Sequence, residues 1–295
     1  MIRARRIGHA TFETPDLDKA IAYYEKFMGL FLAKREKDRA FLATKIGQLV
    51  IALNKSDRAH CLKLAFEVAP NSDFGDMAKE LANEGIRSEL RNDSTPGVGQ
   101  VLAFADDKGT IIELFKDWSY LCKHEQVAGI GPLKLGHVAF FTPDIRRTVA
   151  FYEKALGFRV SDWIGDFFCF MRCNPDHHSV NFFTGPNVQL HHIAFELKDW
   201  AHVETACDFL SRHDIRLEWG PGRHGIGHNI FTYHRNPDNQ ITELFTQLDM
   251  MLDENLGYFE PRPWHRDKPQ RPKVWTPGPS AANYWGAPPP PGFLD

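Results

Sequence analysis

The sequence repeats itself. The segment GHATFETPDLDKAIAYYEKFMGL, beginning at Gly8, returns as GHVAFFTPDIRRTVAFYEKALGF from Gly136. Leu64-Ala65-Phe66-Glu67-Val68 returns as Ile193-Ala194-Phe195-Glu196-Leu197, and Ile111-Ile112-Glu113-Leu114-Phe115 as Ile241-Thr242-Glu243-Leu244-Phe245. Matches that keep their order at nearly constant separation mean a duplicated unit, because shared composition alone would scatter them. Whatever this chain folds into must therefore be built twice from one plan.

That plan can be read locally. A strand carries the Gly-His pair, and Thr-Pro-Asp punctuates it: proline fixes a turn, and Asp16 or Asp144 is placed to cap the helix behind it. The first helix puts Leu17, Ile21, Tyr24 and Met28 on one face; its twin puts Ile145, Val149, Tyr152 and Leu156 there. Gly29 and Gly157 fit the C-terminal stops. Strands follow, then a second strand–helix passage (66–86 and 195–215), then strands reaching Glu113 or Glu243. The expectation is an α+β fold of duplicated domains, each of two βαβββ modules. Residues 1–128 form the first domain and 133–250 the second, joined by a short turn-forming link. An arm over 251–295 follows. Of the 19 prolines, ten lie between Phe259 and Asp295, among Trp264, Trp275, Tyr284 and Trp285. Proline density rules out a helix or central strand there. The aromatic content argues against free disorder. An extended arm packed on the body, over a site mouth, is expected.

Composition narrows the function classes. With 43% hydrophobic and 25% charged residues the chain is ordinary globular material. A net charge of -3 and a pI near 6.5 give no basic surplus for nucleic acid or an anionic membrane surface. No apolar run is long enough for a spanning helix, and the N-terminal stretch lacks the apolar region of a secretory signal. Five scattered cysteines without a CxxC pair, Cys61, Cys122, Cys169, Cys173 and Cys207, point to reduced thiols and a cytoplasmic protein. Cys169 and Cys173 read as small buried residues.

The strand Gln189–Leu197 contains adjacent histidines. Side chains alternate along a strand, so His191 and His192 are expected to point to opposite faces, one of them into an interior cavity. The second copy then offers His137, His192 and Glu243 on three strands. Two imidazoles and a carboxylate, with coordination positions left open, make the facial triad of non-haem iron(II) oxygenases; zinc and manganese accept the same donors. In the first copy His9 and Glu113 are kept, but Lys63 replaces His192 and Leu62 replaces His191. Lysine has no lone pair for a metal. It is placed instead to pair with Glu113, so the first half reads as non-catalytic, with His9 and Glu113 as relics or structural polar residues.

At these residues the chain resembles the vicinal oxygen chelate (glyoxalase/bleomycin resistance/dioxygenase) superfamily, and within it the type I extradiol catechol dioxygenases. The resemblance covers residues 1–250, and two domains with metal only in the second is itself a feature of that family. The loop Gly220-Pro221-Gly222-Arg223-His224-Gly225 and the tail Asn283-Tyr284-Trp285-Gly286 resemble the homoprotocatechuate 2,3-dioxygenase subgroup, whose tail is lid-like. The resemblance implies His137, His192 and Glu243 as ligands of Fe(II), with Mn(II) as the alternative and O2 as co-substrate. It implies His178 as the acid–base histidine, and His224 and Tyr233 as hydrogen-bonding partners of a bound catecholate. Imidazole titrates near neutral pH and suits a proton shuttle. A homo-oligomer, dimer to tetramer, is implied too. His177, His191 and His228 are given no role.

The chain also departs from the subgroup. Arginines suited to a substrate carboxylate are replaced by Trp219 and Ala281-Ala282. A wider, apolar pocket is therefore expected, for a catechol carrying an alkyl or aryl group, with Trp219 at it and Phe170, Phe182, Phe183 and Trp163 as candidate lining, core packing being the more common role for any one of these four. The alternatives are a metal-dependent isomerase or lyase of the glyoxalase kind, and a binding protein for a flat aromatic ligand.

Overall fold

The computed structural model describes residues 2–92, 95–121 and 128–294. The first half runs β1 (Arg6–Thr14), α1 (Leu17–Lys26), β2 (Phe31–Arg35), β3 (Arg39–Ala43), β4 (Leu49–Lys55), then β5 (His60–Glu67), α2 (Phe74–Asn83), β6 (Ser88–Asn92), β7 (Gln100–Ala105) and β8 (Ile111–Phe115). The second half repeats it as β9 (Lys134–Thr142), α3 (Ile145–Leu156), β10 (Arg159–Ile164), β11 (Phe168–Arg172), β12 (Val180–Thr184), then β13 (Gln189–Glu196), α4 (Trp200–Arg212), β14 (Leu217–Arg223), β15 (Ile230–Arg235) and β16 (Ile241–Thr246). The arm adds β17 (Val274–Trp275) and α5 (Pro279–Ala282). Two βαβββ modules per half are what the repeat predicts. Cys122 lies outside the described residues, as does the end of the expected first domain at 122–127. The four described cysteines are free thiols, and Cys169 and Cys173 are buried.

Each half makes one sheet, ordered β2-β3-β4-β1-β5-β8-β7-β6 and β14-β15-β16-β13-β9-β12-β11-β10-β17. In both, the first strand of a module lies parallel to its last (β1 with β4, β13 with β16). The two modules join antiparallel through their first strands. Aspartates start the helices as expected: Asp16 accepts from Lys19 N and Asp144 from Arg147 N, both at 3.0 Å. Such a cap stabilises a helix by about 1 kcal/mol. The predicted apolar faces are buried, and so is Tyr23, which the periodicity does not reveal. Its hydroxyl lies 2.7 Å from His234 Nε2 of the other half. In return the Tyr152 hydroxyl of the second half donates to Asp106 Oδ2 of the first, at 3.0 Å. One buried cluster runs through both halves, so they share a core.

The Gly-His pair has a steric reason common to both copies. The sheet slips register beside Gly8 and again beside Gly136. A methyl group on Gly8 would come within 2.4 Å of the Phe115 ring, and one on Gly136 within 2.3 Å of Phe245. Only glycine lets the phenylalanine of the terminal strand lie across the bulge.

Candidate active site

Three neighbouring strands bring the predicted donors together. In the pairing of β13 with β9 and β16, Ala194 lies opposite both His137 and Glu243. His192 is two residues away, on the same face of the strand. The small side chain of Ala194 leaves a hollow between three polar ones. His137 Nε2 lies 3.1 Å from His192 Nε2 and 3.0 Å from Glu243 Oε2, and His192 Nε2 lies 3.3 Å from that same oxygen. All three side chains are buried. Two imidazoles and a carboxylate turned on one point are a donor set that fits a divalent cation. Asn229 Nδ2 donates to Glu243 Oε1 at 2.9 Å and fixes the carboxylate's orientation, a partner that no motif announced.

His191 corrects the expectation of opposite faces. The pairing of β13 with β9 slips between Leu190 and His192, so His191 is a bulge residue and strict alternation fails there. Its Nδ1 lies 2.5 Å from His192 Nδ1, and both rings line one cavity. The same slip falls at Leu62 in the first half.

His178, His224, Tyr233 and Trp219 are gathered at the same cavity. The His178 ring sits edge-on to His137, with centroids 4.3 Å apart. His224 Nε2 is 2.9 Å from the Tyr233 hydroxyl, and His224 Nδ1 is 2.6 Å from the Ala282 carbonyl of the arm. Trp219 stacks on Tyr233 and donates its indole N–H to the Ala287 carbonyl at 2.9 Å. Burial, reinforced by neighbouring imidazoles, holds His178 well below the usual histidine range. Burial likewise lowers His224, and it raises Tyr233 well above the usual phenol value, helped by the nearby Glu243 charge. These three groups therefore stay neutral at neutral pH.

The cavity measures about 330 Å³. Phe167, Phe168, Phe170, Phe183, Ile164 and Ile226 line it, and none of its described lining residues is lysine or arginine. Of the candidates for this lining, Phe182 and Trp163 take the core-packing role. Phe182 follows the pleat of β12 to the face opposite Phe183 and packs edge-on against Tyr152. Trp163 lies beneath the Arg146 guanidinium, which is 3.9 Å from the ring centroid. The arm supplies the roof through Pro277, Pro279, Ala281, Ala282, Pro288, Pro289 and Phe293. It thus closes the site of its own chain, as an arm over a site mouth should. It is held to the glycine-rich loop: Arg223 N donates to Asn283 Oδ1 at 3.1 Å, and Tyr284 N to Arg223 O at 2.7 Å. A methyl group at Gly225 would meet Ser280 O at 2.0 Å, so the loop needs glycine where the arm crosses.

In the first half His9 and Glu113 likewise flank Ala65. There Lys63 Nζ donates to Glu113 Oε1 at 2.6 Å, the pairing its sequence position predicts. The adjacent hollow is only about 20 Å³. Among the described residues, no helix is long and apolar enough to cross a membrane.

Comparison with known proteins matches residues 6–114 and 134–244 to the family model described as Glyoxalase/Bleomycin resistance protein/Dioxygenase superfamily. A manganese-dependent 2,3-dihydroxybiphenyl 1,2-dioxygenase from Geobacillus genomosp. 3 is 25% identical, over 92% of this chain and 93% of its own length. The Mn(II)-bound glyoxalase from Novosphingobium aromaticivorans has TM-score 0.86 at 26% identity, covering 100% of this chain and 98% of that one. The homoprotocatechuate 2,3-dioxygenase of Brevibacterium fuscum, in an anaerobic complex with 3,4-dihydroxyphenylacetate, has TM-score 0.82 at 25% identity, covering 99% and 92%.

Proposed function

The chain belongs to the glyoxalase/bleomycin resistance protein/dioxygenase superfamily, and from that premise we propose that it is an extradiol dioxygenase. It opens the ring of a catechol beside the diol, and both atoms of O2 enter the semialdehyde-type product. The observation that carries this reading is one juxtaposition: His137, His192 and Glu243 on the floor of an aromatic cavity, with His178, His224 and Tyr233 around them. The dioxygenases among its relatives support it.

We assign His137, His192 and Glu243 as ligands of Fe(II). Mn(II) is the alternative, since one relative is manganese-dependent and one similar structure holds Mn(II). The cation, when bound, supplies charge that favours the deprotonated diol and open positions for the diol and O2. The chain's own residues do the rest. His178, neutral and beside His137, takes a proton from the diol and returns it later in the reaction. His224 and Tyr233 share a hydrogen bond and hold a substrate oxygen between them. Phe168, Phe170 and Phe183 keep water off the ring. Without a lysine or arginine in the lining, a substrate carboxylate would be buried unpaired, a cost of several kcal/mol. An alkyl- or aryl-substituted catechol is the substrate class. The first half, residues 1–128, carries no catalysis, and 133–250 with the arm 251–295 holds the site. Buried free thiols support a cytoplasmic protein. A dimer or tetramer, as in the family it resembles, is the assembly to be weighed by light scattering.

The test is anaerobic loading with Fe(II), followed by a catechol panel in air. O2 uptake and the visible absorbance of a ring-opened product are recorded together. Equimolar uptake with a yellow product is expected, fastest for apolar catechols. A metal-bearing protein that consumes no O2 with any catechol would overturn this reading. It would favour a glyoxalase-type isomerase, the second reading, which the likeness to the Mn(II)-bound glyoxalase supports.

A further inference from the structure

We propose that Asp162 and His177 are positioning residues that hold His178 as its Nδ1–H tautomer, leaving a bare Nε2 toward the cavity. The consequence for turnover rests on the function proposed above; the tautomer itself does not.

The argument starts at the buried end. Asp162 and His177 are fully buried, and His178 nearly so. Lys273 of the arm donates its backbone N–H to Asp162 Oδ1 at 2.8 Å. The other oxygen, Oδ2, lies 2.8 Å from His177 Nε2. His177 Nδ1 lies 2.9 Å from His178 Nδ1. A carboxylate only accepts, so His177 Nε2 must carry hydrogen. With His177 taken as neutral, its one N–H is at Nε2 and its Nδ1 is a lone pair. Two ring nitrogens 2.9 Å apart need one hydrogen between them, and with a neutral His177 it comes from His178 Nδ1. The nitrogen His178 has left is then without hydrogen, which is what a group taking a proton from a diol requires.

His177 has little freedom to turn. Its backbone N–H donates to Asp249 O at 2.8 Å, and its ring packs between Phe170 and Phe259. The first half shows that the wire is not a by-product of the fold. It keeps the same slipped pairing at the equivalent strand, yet register puts Lys34, Gln48 and Leu49 at the places of Asp162, His177 and His178.

Asp162→Asn tests the wire by inverting it. The new carbonyl must face Lys273 N–H, so the amide NH2 faces His177 Nε2. That pushes hydrogen onto His177 Nδ1, and from there His178 is forced into the Nε2–H form. The readout is long-range 15N–1H correlation on metal-free, [15N]histidine-labelled protein at pH 8.5, assigned with His178→Gln. Wild type is expected to show His178 as Nδ1–H, and Asp162→Asn as Nε2–H. In the Fe(II)-loaded enzyme kcat falls roughly a hundredfold, the scale of a lost general base, with KM little changed. Wild-type His178 in the Nε2–H form, or His177 carrying both hydrogens, overturns the proposal even if the variant does not fold. An Asp162→Asn spectrum identical to wild type overturns it too. Failure of wild type to consume O2 with any catechol would instead remove the enzymatic reading and leave the tautomer result standing.

Discussion

The two halves set the same stage and cast it differently. Each has a glycine bulge under a phenylalanine, a small alanine between a histidine and a glutamate, and a second bulge one residue before the third position. In the second half that third position is His192, which has a lone pair to give; in the first it is Lys63, which brings its own cation to Glu113. Around His192 lies a cavity of about 330 Å³; beside His9 it is about 20 Å³. Register also puts Leu49 and Ala103 where His178 and Tyr233 stand. The backbone alone therefore does not make a site. On the proposed ligand assignment, one side chain decides whether a metal has a seat, and others decide whether a seated metal has work.

Three substitutions press on that contrast. His192→Lys gives the second half the first half's solution. The protein should fold, retain no metal by elemental analysis, and lose O2 uptake by more than roughly a hundredfold, the upper end for disturbing a group outside the ligand set. Metal retention in that variant would mean that lysine is not what disarms the first half. Trp219→Arg acts on the cavity and leaves the ligands alone. It should lower kcat/KM for an apolar catechol about tenfold and improve the relative rate for one bearing a carboxylate, a difference within reach of a single pocket contact. Improvement on apolar catechols would contradict the pocket assignment. Lys63→His runs the comparison in reverse. Metal content should rise from one towards two ions per chain, with turnover unchanged, because nothing at Leu49 or Ala103 moves protons. A stoichiometry that stays at one would make the missing cavity, and not the lysine, the deciding difference.

Much of this was legible in the sequence because duplication supplies an internal control. The glycine-histidine pairs, the aspartate caps and two of the three donors recur at matched positions, with Lys63 at the third, so their geometry follows from one plan. Illegible was whatever depends on a broken period or a distant contact. His191 breaks alternation because a bulge intervenes, and a bulge leaves no local signal in Leu190-His191-His192. Residue type alone does not separate a cavity aromatic from a core one, and Phe182 and Trp163 lie in the core. Asn229, and the pairing of Asp162 with His177, arise between strands far apart in sequence. Tyr23 is buried because the other half presents His234 to it, which no periodicity within a helix can show.

The arm is encoded downstream of everything it covers. As synthesis proceeds from the N-terminus, the half carrying Lys63 emerges first and offers Tyr23 and Asp106 as a surface for its sibling. The sibling then presents His137, His192 and Glu243 to solvent before Phe293 and its neighbouring prolines have left the ribosome. On the proposed ligand assignment, metal loading has its widest access in that interval. Chain order itself thus schedules the cavity: scaffold first, then an open cup, and the roof last.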